Sequence, residues 1–364
     1  MSFPAFIPGI ELSRRLYHEC VQPILQRQFP RLRHSAALWG YGSEVLGFDT
    51  PMSRDHDWGP RMQVFLADED SEQAQAVWAC LAQELPHSFY GYSTHFGPPN
   101  EEDNGTRHLA DKDSGPVDHR VEVTTLAAYL GAYLPVDVLG EMSAADWLVI
   151  PQQKLRTVAA APVHVDELGV LLPLQDKLRW YPDAVWHYLL ASAWSCLGQE
   201  EHLVGRCGHA GDELGAIVLG ASLTRTIMLL ALWMERQYAP YPKWFGSAFR
   251  RLKTAQTLMP LLEQVRLAPD WQARDHALAY TYTALLQRWN ALGLMAPVDT
   301  APQSFFGRPF QVIYGGKIAE KTAALLAGTP LAHYPLIGNI DLITDSTDVV
   351  ENNEVCAALR GLWG

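Results

Sequence analysis

Residues 40 to 61 read GYGSEVLGFDTPMSRDHDWGPR and bring together residue types that phosphate chemistry needs. A short apolar run, Ala36 to Trp39, precedes Gly42 and Ser43, which predicts a strand entering a tight turn. Such a turn, with backbone N–H groups at the start of a short helix around Glu44 to Leu46 and the Ser43 hydroxyl, can hold phosphate oxygens with no bulky side chain in the way. After eleven intervening residues from Ser43, Asp55 and Asp57 flank His56 on the way into a second strand candidate, Met62 to Leu66. Strand alternation would turn both carboxylates to one face and the imidazole to the other. Side by side, two carboxylates repel each other and make poor core packing. They suit a hard divalent cation, Mg2+ or Mn2+, which takes oxygen ligands and often substrate phosphates as well.

A third acid is needed to complete a metal site or to deprotonate an attacking hydroxyl. The segment Val117 to Thr125, VDHRVEVTT, alternates with Val117, His119, Val121 and Val123 on one side and Asp118, Arg120 and Glu122 on the other. Glu122 is the candidate and Asp118 its competitor; the plain alternative for Glu122 is a surface residue paired with Arg120 or Arg61. The chemistry implied is in-line attack by an acceptor oxygen on a nucleotide α-phosphate, with pyrophosphate leaving.

The elements that must position these residues fall into two parts. The first 150 residues mix helix and strand patterns: an amphipathic helix from Ile10 to Phe29 interrupted at Pro23, a helix from Ser71 to Leu85, and a polar loop from Gly97 to Gly115. Beyond residue 165, Trp186, Leu189, Leu190, Ala193, Trp194 and Leu197 keep helical spacing, and so do Leu214, Ile217, Val218, Ala221, Met228 and Leu232. The expected organisation is α+β: a mixed-sheet catalytic domain over residues 1–155 and an all-α helical-bundle domain over 156–364 that binds substrate and nucleotide. Leu214 to Met234 approaches membrane-spanning length, but Arg225 sits mid-segment, so a buried helix of the bundle is expected and no membrane partner.

The resemblance carried by these residues is specific. Gly42-Ser43, the eleven-residue spacer, Asp55-x-Asp57 and a later acid resemble the polymerase-β-type nucleotidyltransferase superfamily. SRDHDWGPR, YPDAVWHYLLASAW, GDELG and YAPYPKWFGSAF resemble, over about residues 8 to 345, the DUF4037 family, a bacterial branch related to kanamycin-type nucleotidyltransferases. The resemblance implies a Mg2+-dependent enzyme that moves NMP, chiefly AMP, from NTP to a hydroxyl acceptor. Asp55 and Asp57 would hold the metal and Gly42 and Ser43 the triphosphate. Glu122 takes a third position that is more often Asp in the superfamily. It further implies that Lys243 neutralises a phosphate, that Trp244 or Tyr241 stacks on a base or sugar, and that Arg206, Asp212, Glu213 and Arg225 mark substrate contacts. The bland reading of Asp212 is an N-cap and that of Arg225 an ion-paired helix residue.

Composition limits the partners. The chain has 28 Lys and Arg against 40 Asp and Glu, a net charge of −12, which disfavours broad phosphate-backbone binding and suits a cationic small molecule or a protein as acceptor. An aminoglycoside-like molecule, a protein side chain or, in the manner of toxin-like transferases, an RNA end are the acceptors to weigh. The alternative from a different class is a non-catalytic nucleotide-binding or regulatory protein with the same fold. Five dispersed cysteines with no CxxC pair, and an N-terminus without a basic start and apolar run, point to the cytoplasm and to no zinc site.

Overall fold

The computed structural model describes residues 4–363 except His56 and Asn104, with Asp55 described only through its backbone. Two compact units form: Met1–Glu141 with Lys154–Arg179, and Met142–Gln153 with Trp180–Gly364. The chain therefore crosses between units three times instead of once after residue 155. The reason is strand pairing: a late strand returns to the first unit's sheet and carries residues 154–179 with it.

That sheet contains β1 (His34–Ala37), β2 (Arg61–Leu66), β3 (Arg120–Thr125) and β4 (Val163–Asp166), in the order β3-β2-β1-β4. It is mixed. β1 runs antiparallel to β2 and to β4, while β2 and β3 run parallel, with Gln63 beside Glu122 and Arg61 beside Arg120. Every residue of β1 and β2 is buried, as central strands covered on both faces require. Leu12, Leu16, Tyr17, Val21, Ile24 and Leu25 pack on the core side from a helical run made of α1 (Gly9–Leu16), the π-helical turn Tyr17–Val21, and α2 (Gln22–Gln28). Pro23 does not break this run, because the wide π-helical turn before it accommodates the ring and the missing N–H. Along β3 and the segment leading into it, Val117, His119 and Val121 are buried and Glu122 is exposed, as the alternation predicts. Thr125 caps α3 (Leu126–Tyr133) by accepting the Ala128 N–H at 3.3 Å. The polar excursion 97–115 is tied back by single bridges, Phe96 to Leu109 and Asn100 to Thr106.

The second unit is helical apart from a two-residue ribbon, Gln303–Ser304 with Gln311–Val312. Its long elements are Asp183–Glu200, Leu203–His209, Glu213–Met234, Pro242–Arg250, Ala255–Leu267, Trp271–Asn290 and Gly315–Ala323. The apolar helix Glu213–Met234 packs against Asp183–Glu200, Leu203–His209, Ala255–Leu267 and Trp271–Asn290. Among the described residues it is the one helix long and apolar enough to cross a membrane; its last turns are buried, and Leu214, Ile217 and Val218 are exposed. Trp186 and Trp194 are core residues as expected. Asp183–Glu200 and Gly315–Ala323 approach so closely that a Cβ on Gly198 would run into the Gly315-Gly316 backbone.

Glu201, at the end of the first of these two helices, anchors the start of the second. Its carboxylate accepts the N–H groups of Ile313 at 2.7 Å and Gly315 at 2.9 Å. Burial pushes this carboxyl up to about 7, against the pull of those hydrogen bonds. A carboxyl raised on folding favours the folded state at low pH, and the advantage is lost as pH rises from the ordinary glutamate range toward 7. We expect the stability of Glu201→Gln to depend less on pH than that of the parent by roughly 3 kcal/mol across that window. Denaturant titrations at pH 4.5 and 7.5 check this; parallel behaviour of the two proteins would remove Glu201 as the cause.

Candidate active site

The turn after β1 is held by a buried ion pair. Glu44 and Arg61 are 2% and 8% exposed, and Glu44 Oε1 accepts Arg61 Nε–H at 2.9 Å and Nη2–H at 2.5 Å. Arg61 Nη2 also donates to the Tyr41 carbonyl. Burial opposes the guanidinium charge, but the Glu44 carboxylate more than compensates and holds Arg61 above its usual range. Gly42, at φ 122°, is required: a Cβ there would strike the Glu44 carboxylate. The short helix expected over Glu44 to Leu46 is instead a pair of turns, Gly47 N–H to Glu44 O and Phe48 N–H to Ser43 O, both 2.9 Å, because Gly47 leaves helical geometry at φ 66°. Gly42 lines the resulting pocket, whereas Ser43 sits in the turn behind it.

Asp55 and Asp57 do not alternate along a strand. Pro51–Asp55 is a 3-10 helix, and Pro60, with no N–H to give to a ladder, delays β2 until Arg61. The pocket-facing strand positions are thereby taken by Arg61 and Gln63. The Asp55 side chain and all of His56 lie outside the described residues. Asp57 enters the pocket from the connecting loop at φ 46°, a left-handed conformation that Asp tolerates better than most residues. Its Oδ1 meets Arg120 Nη2 at 3.2 Å and accepts the Arg107 N–H at 3.2 Å.

Glu122 is exposed and faces the same pocket, with Gln63 Nε2 at 3.4 Å. Gln63 Oε1 in turn accepts the Trp39 N–H at 2.8 Å, so one side chain ties β1 to β3 across β2. Asp118, the competing acid, pairs with Arg107. The pocket encloses about 400 Å³. Its charged lining is Glu44, Asp57, Arg61, Arg120 and Glu122. Three tyrosines line it as well, with Tyr41 edge-on to Tyr133 at 5.4 Å and Tyr133 stacked on Tyr129 at 5.7 Å; the Lys154 ammonium lies 5.8 Å from the Tyr133 centroid. Burial, then the Glu122 charge, raises the Tyr129 phenol above its ordinary pKa. Burial pushes Arg120 below its usual range, opposed by Asp57.

Arg120, Arg61, Gln63, Glu44 and the three tyrosines were not read as site residues from sequence. A signal existed: Arg61-Met62-Gln63 and Arg120-Val121-Glu122 repeat one polar-apolar-polar pattern, and parallel pairing sets them side by side.

Among the described residues no three His, Cys, Asp or Glu side chains converge as a ready metal cluster. The donor set still fits a hard cation, since Mg2+ usually takes only one or two carboxylates besides water and phosphate, and Asp57 and Glu122 open on one pocket.

The expected helical contacts are placed in the second unit. Asp212 caps Glu213–Met234 through the Gly215 N–H at 2.8 Å. Glu213 pairs with Arg274 at 2.6 Å and accepts the Trp271 N–H at 3.0 Å. Arg206 reaches His202 at 3.2 Å, Arg225 pairs with Asp345, and the Lys243 ammonium lies 5.2 Å from the Trp244 ring centroid.

Residues 147–245 match the model of DUF4037, a domain of unknown function. The match is narrower than the resemblance over residues 8 to 345. It takes in Arg206, Asp212, Glu213, Arg225, Lys243 and Trp244, and leaves Gly42, Asp57 and Glu122 outside. The chain is also similar to the crystal structure of a nucleotidyltransferase-like protein from Exiguobacterium sibiricum 255-15, at 12% identity over 82% of each chain with a TM-score of 0.34. No curated protein matches the chain.

Removing one partner of the Glu44–Arg61 pair leaves the other charge buried. Arg61→Leu should destabilise the protein by about 3–5 kcal/mol, and Glu44→Met in the same chain should recover much of that loss. Urea titrations of the single and double variants decide; additive losses would mean that the pair is not coupled.

Proposed function

We propose that the protein transfers a nucleoside monophosphate, AMP from ATP first among them, to an acceptor hydroxyl with release of pyrophosphate. The observation that carries this reading is the meeting in one pocket of charged groups, Asp57, Arg61, Arg120 and Glu122, with the tyrosine rings of Tyr41, Tyr129 and Tyr133, beside the Gly42 turn. Triphosphate oxygens need cationic and N–H donors, and a nucleobase needs a flat apolar face. Both are supplied within about 400 Å³, a volume suited to a small ligand.

Within this reading Asp57 and Glu122, joined by Asp55 from the motif, would hold Mg2+ or Mn2+, which neutralises charge on the attacking and leaving oxygens. The acceptor oxygen attacks the α-phosphorus, its proton passes to the exposed Glu122 carboxylate, and the bond to the β-phosphate oxygen breaks. Arg120 changes partner, leaving Asp57 for the phosphate oxygens. The surplus of acids elsewhere suits a cationic small molecule or a protein as acceptor more than RNA. No disulfide joins cysteines among the described residues, and a reducing cytoplasm is the compartment proposed for the protein.

The Asp57–Arg120 pair also favours a second reading, a nucleotide-binding regulatory protein in which the acid positions an arginine and holds no metal. Thermal unfolding with each NTP, with and without Mg2+, separates the two. At 100 times its dissociation constant a bound NTP stabilises by about 2.7 kcal/mol. The transferase reading expects a Mg2+-dependent shift that Glu122→Gln and Asp57→Asn abolish. A shift indifferent to Mg2+ and to Glu122→Gln establishes the regulatory reading instead.

Arg120→Met tests the partner exchange directly. Loss of one charge-assisted phosphate contact should weaken NTP binding about 10-fold, as read by calorimetry. Unaltered affinity would take Arg120 out of the phosphate site.

A further inference from the structure

The second unit holds a cavity of about 370 Å³ whose wall differs in kind from the ionic pocket. Met228, Leu229, Pro240, Tyr241, Pro242 and Phe245 give it an apolar body. Gln152 and Asp341 meet in its wall. Asp341 Oδ2 accepts the Gln152 N–H at 2.9 Å and an Asn339 Nδ2–H at 3.0 Å, two neutral donors. Arg225, the cation in this wall, is paired with Asp345. Burial raises the Asp341 carboxyl to about 6, against the hydrogen bonds of Gln152 and the more distant charge of Arg225, as befits a carboxylate short of a counter-charge.

Gln152 adds a second, independent feature. It is 1% exposed, and its Oε1 is committed to Trp233 Nε1 at 2.7 Å and the Ala239 N–H at 3.1 Å. Its Nε2 faces the Asp341 carboxylate without completing a well-aligned hydrogen bond. A buried amide N–H2 left this way costs stability that a ligand oxygen recovers. An acceptor for Gln152, a cation for Asp341 and a ring for the apolar body together define one kind of molecule.

We propose that this cavity binds an aryl or alicyclic amino alcohol, with its ammonium on Asp341, its hydroxyl oxygen accepting from Gln152 Nε2, and its ring against Met228, Tyr241 and Phe245. The inference uses side chains of the second unit alone and stands whether or not the protein handles nucleotides.

Calorimetry on the full chain with 2-amino-1-phenylethanol as the probe tests it. Binding is expected, with mandelate, which replaces the ammonium-bearing carbon by a carboxylate, at least about 10-fold weaker, and Asp341→Asn reducing probe affinity by a similar factor. Because Asp341→Asn disturbs buried hydrogen bonds, Met228→Trp serves as the second variant: it fills the cavity from its wall, and should abolish binding while circular dichroism stays unchanged. No measurable heat with the probe, equal affinity for mandelate, or full binding by folded Met228→Trp would each overturn the assignment.

Discussion

The Glu44–Arg61 ion pair is the constraint on which the first unit's site depends. Arg61 opens β2, so its guanidinium is fixed by the sheet, and Glu44 must come to it. That requirement shapes the chain on both sides. Gly42 has to be glycine because its Cβ would occupy the carboxylate's space, and Gly9, at the start of α1, comes close enough that a side chain there would meet the Glu44 stem. Asp49 secures the same loop from its other end, accepting the Gly9 N–H at 2.6 Å and Trp58 Nε1–H at 3.1 Å. The turn is thus stapled to β2 and to the first helix, and the pocket mouth is held open by contacts that are themselves buried. A pair of buried charges is a poor source of net stability but specifies one geometry, because every alternative leaves a charge unpaired.

The same logic explains why Asp57 both lines the pocket and is held in place. A loop aspartate in a left-handed conformation would wander without partners; Arg120 on β3 and the Arg107 backbone supply them. Arg107 is in turn clamped by Asp118 and by the Gly97 carbonyl at 2.7 Å. The acidic-looking excursion 97–115 therefore has a structural use at its base, where the clamped Arg107 delivers its backbone N–H to Asp57.

Legibility from sequence followed the range of the interactions. Strand alternation at Val117 to Thr125 is local, and Glu122 emerged on the outward face as expected; helical spacing around Trp186 and Trp194 is local too, and both are core. Asp212 met its bland alternative, since Gly-Asp before a long helix is a cap. What was not legible depends on distant pairing. Pro51 and Pro60, close to Asp55 and Asp57, are a local sign against a strand there that alternation alone overlooks, but nothing near Gly40 announces Tyr129, whose hydroxyl a Cβ at Gly40 would strike. Register between β2 and β3 sets Arg61 beside Arg120 and Gln63 beside Glu122, and no periodicity within either strand encodes that meeting. The boundary after residue 155 failed similarly, because β4 pairs with β1 across more than a hundred residues of chain.

Net charge and local charge are different constraints, and the chain separates them. A net charge of −12 repels polyanions at a distance, whereas in the pocket each arginine has an acid of its own, Arg61 with Glu44 and Arg120 with Asp57, and Glu122 lines the same wall. Beyond a Debye length of about 8 Å the surface acids are screened, so a group in the pocket meets this paired lining and not the average. A long nucleic acid would keep most of its phosphates over the acidic remainder. Any anion that enters the pocket must draw Arg120 away from Asp57, because Arg61 is buried with Glu44, and the acid so released then needs a cation of its own.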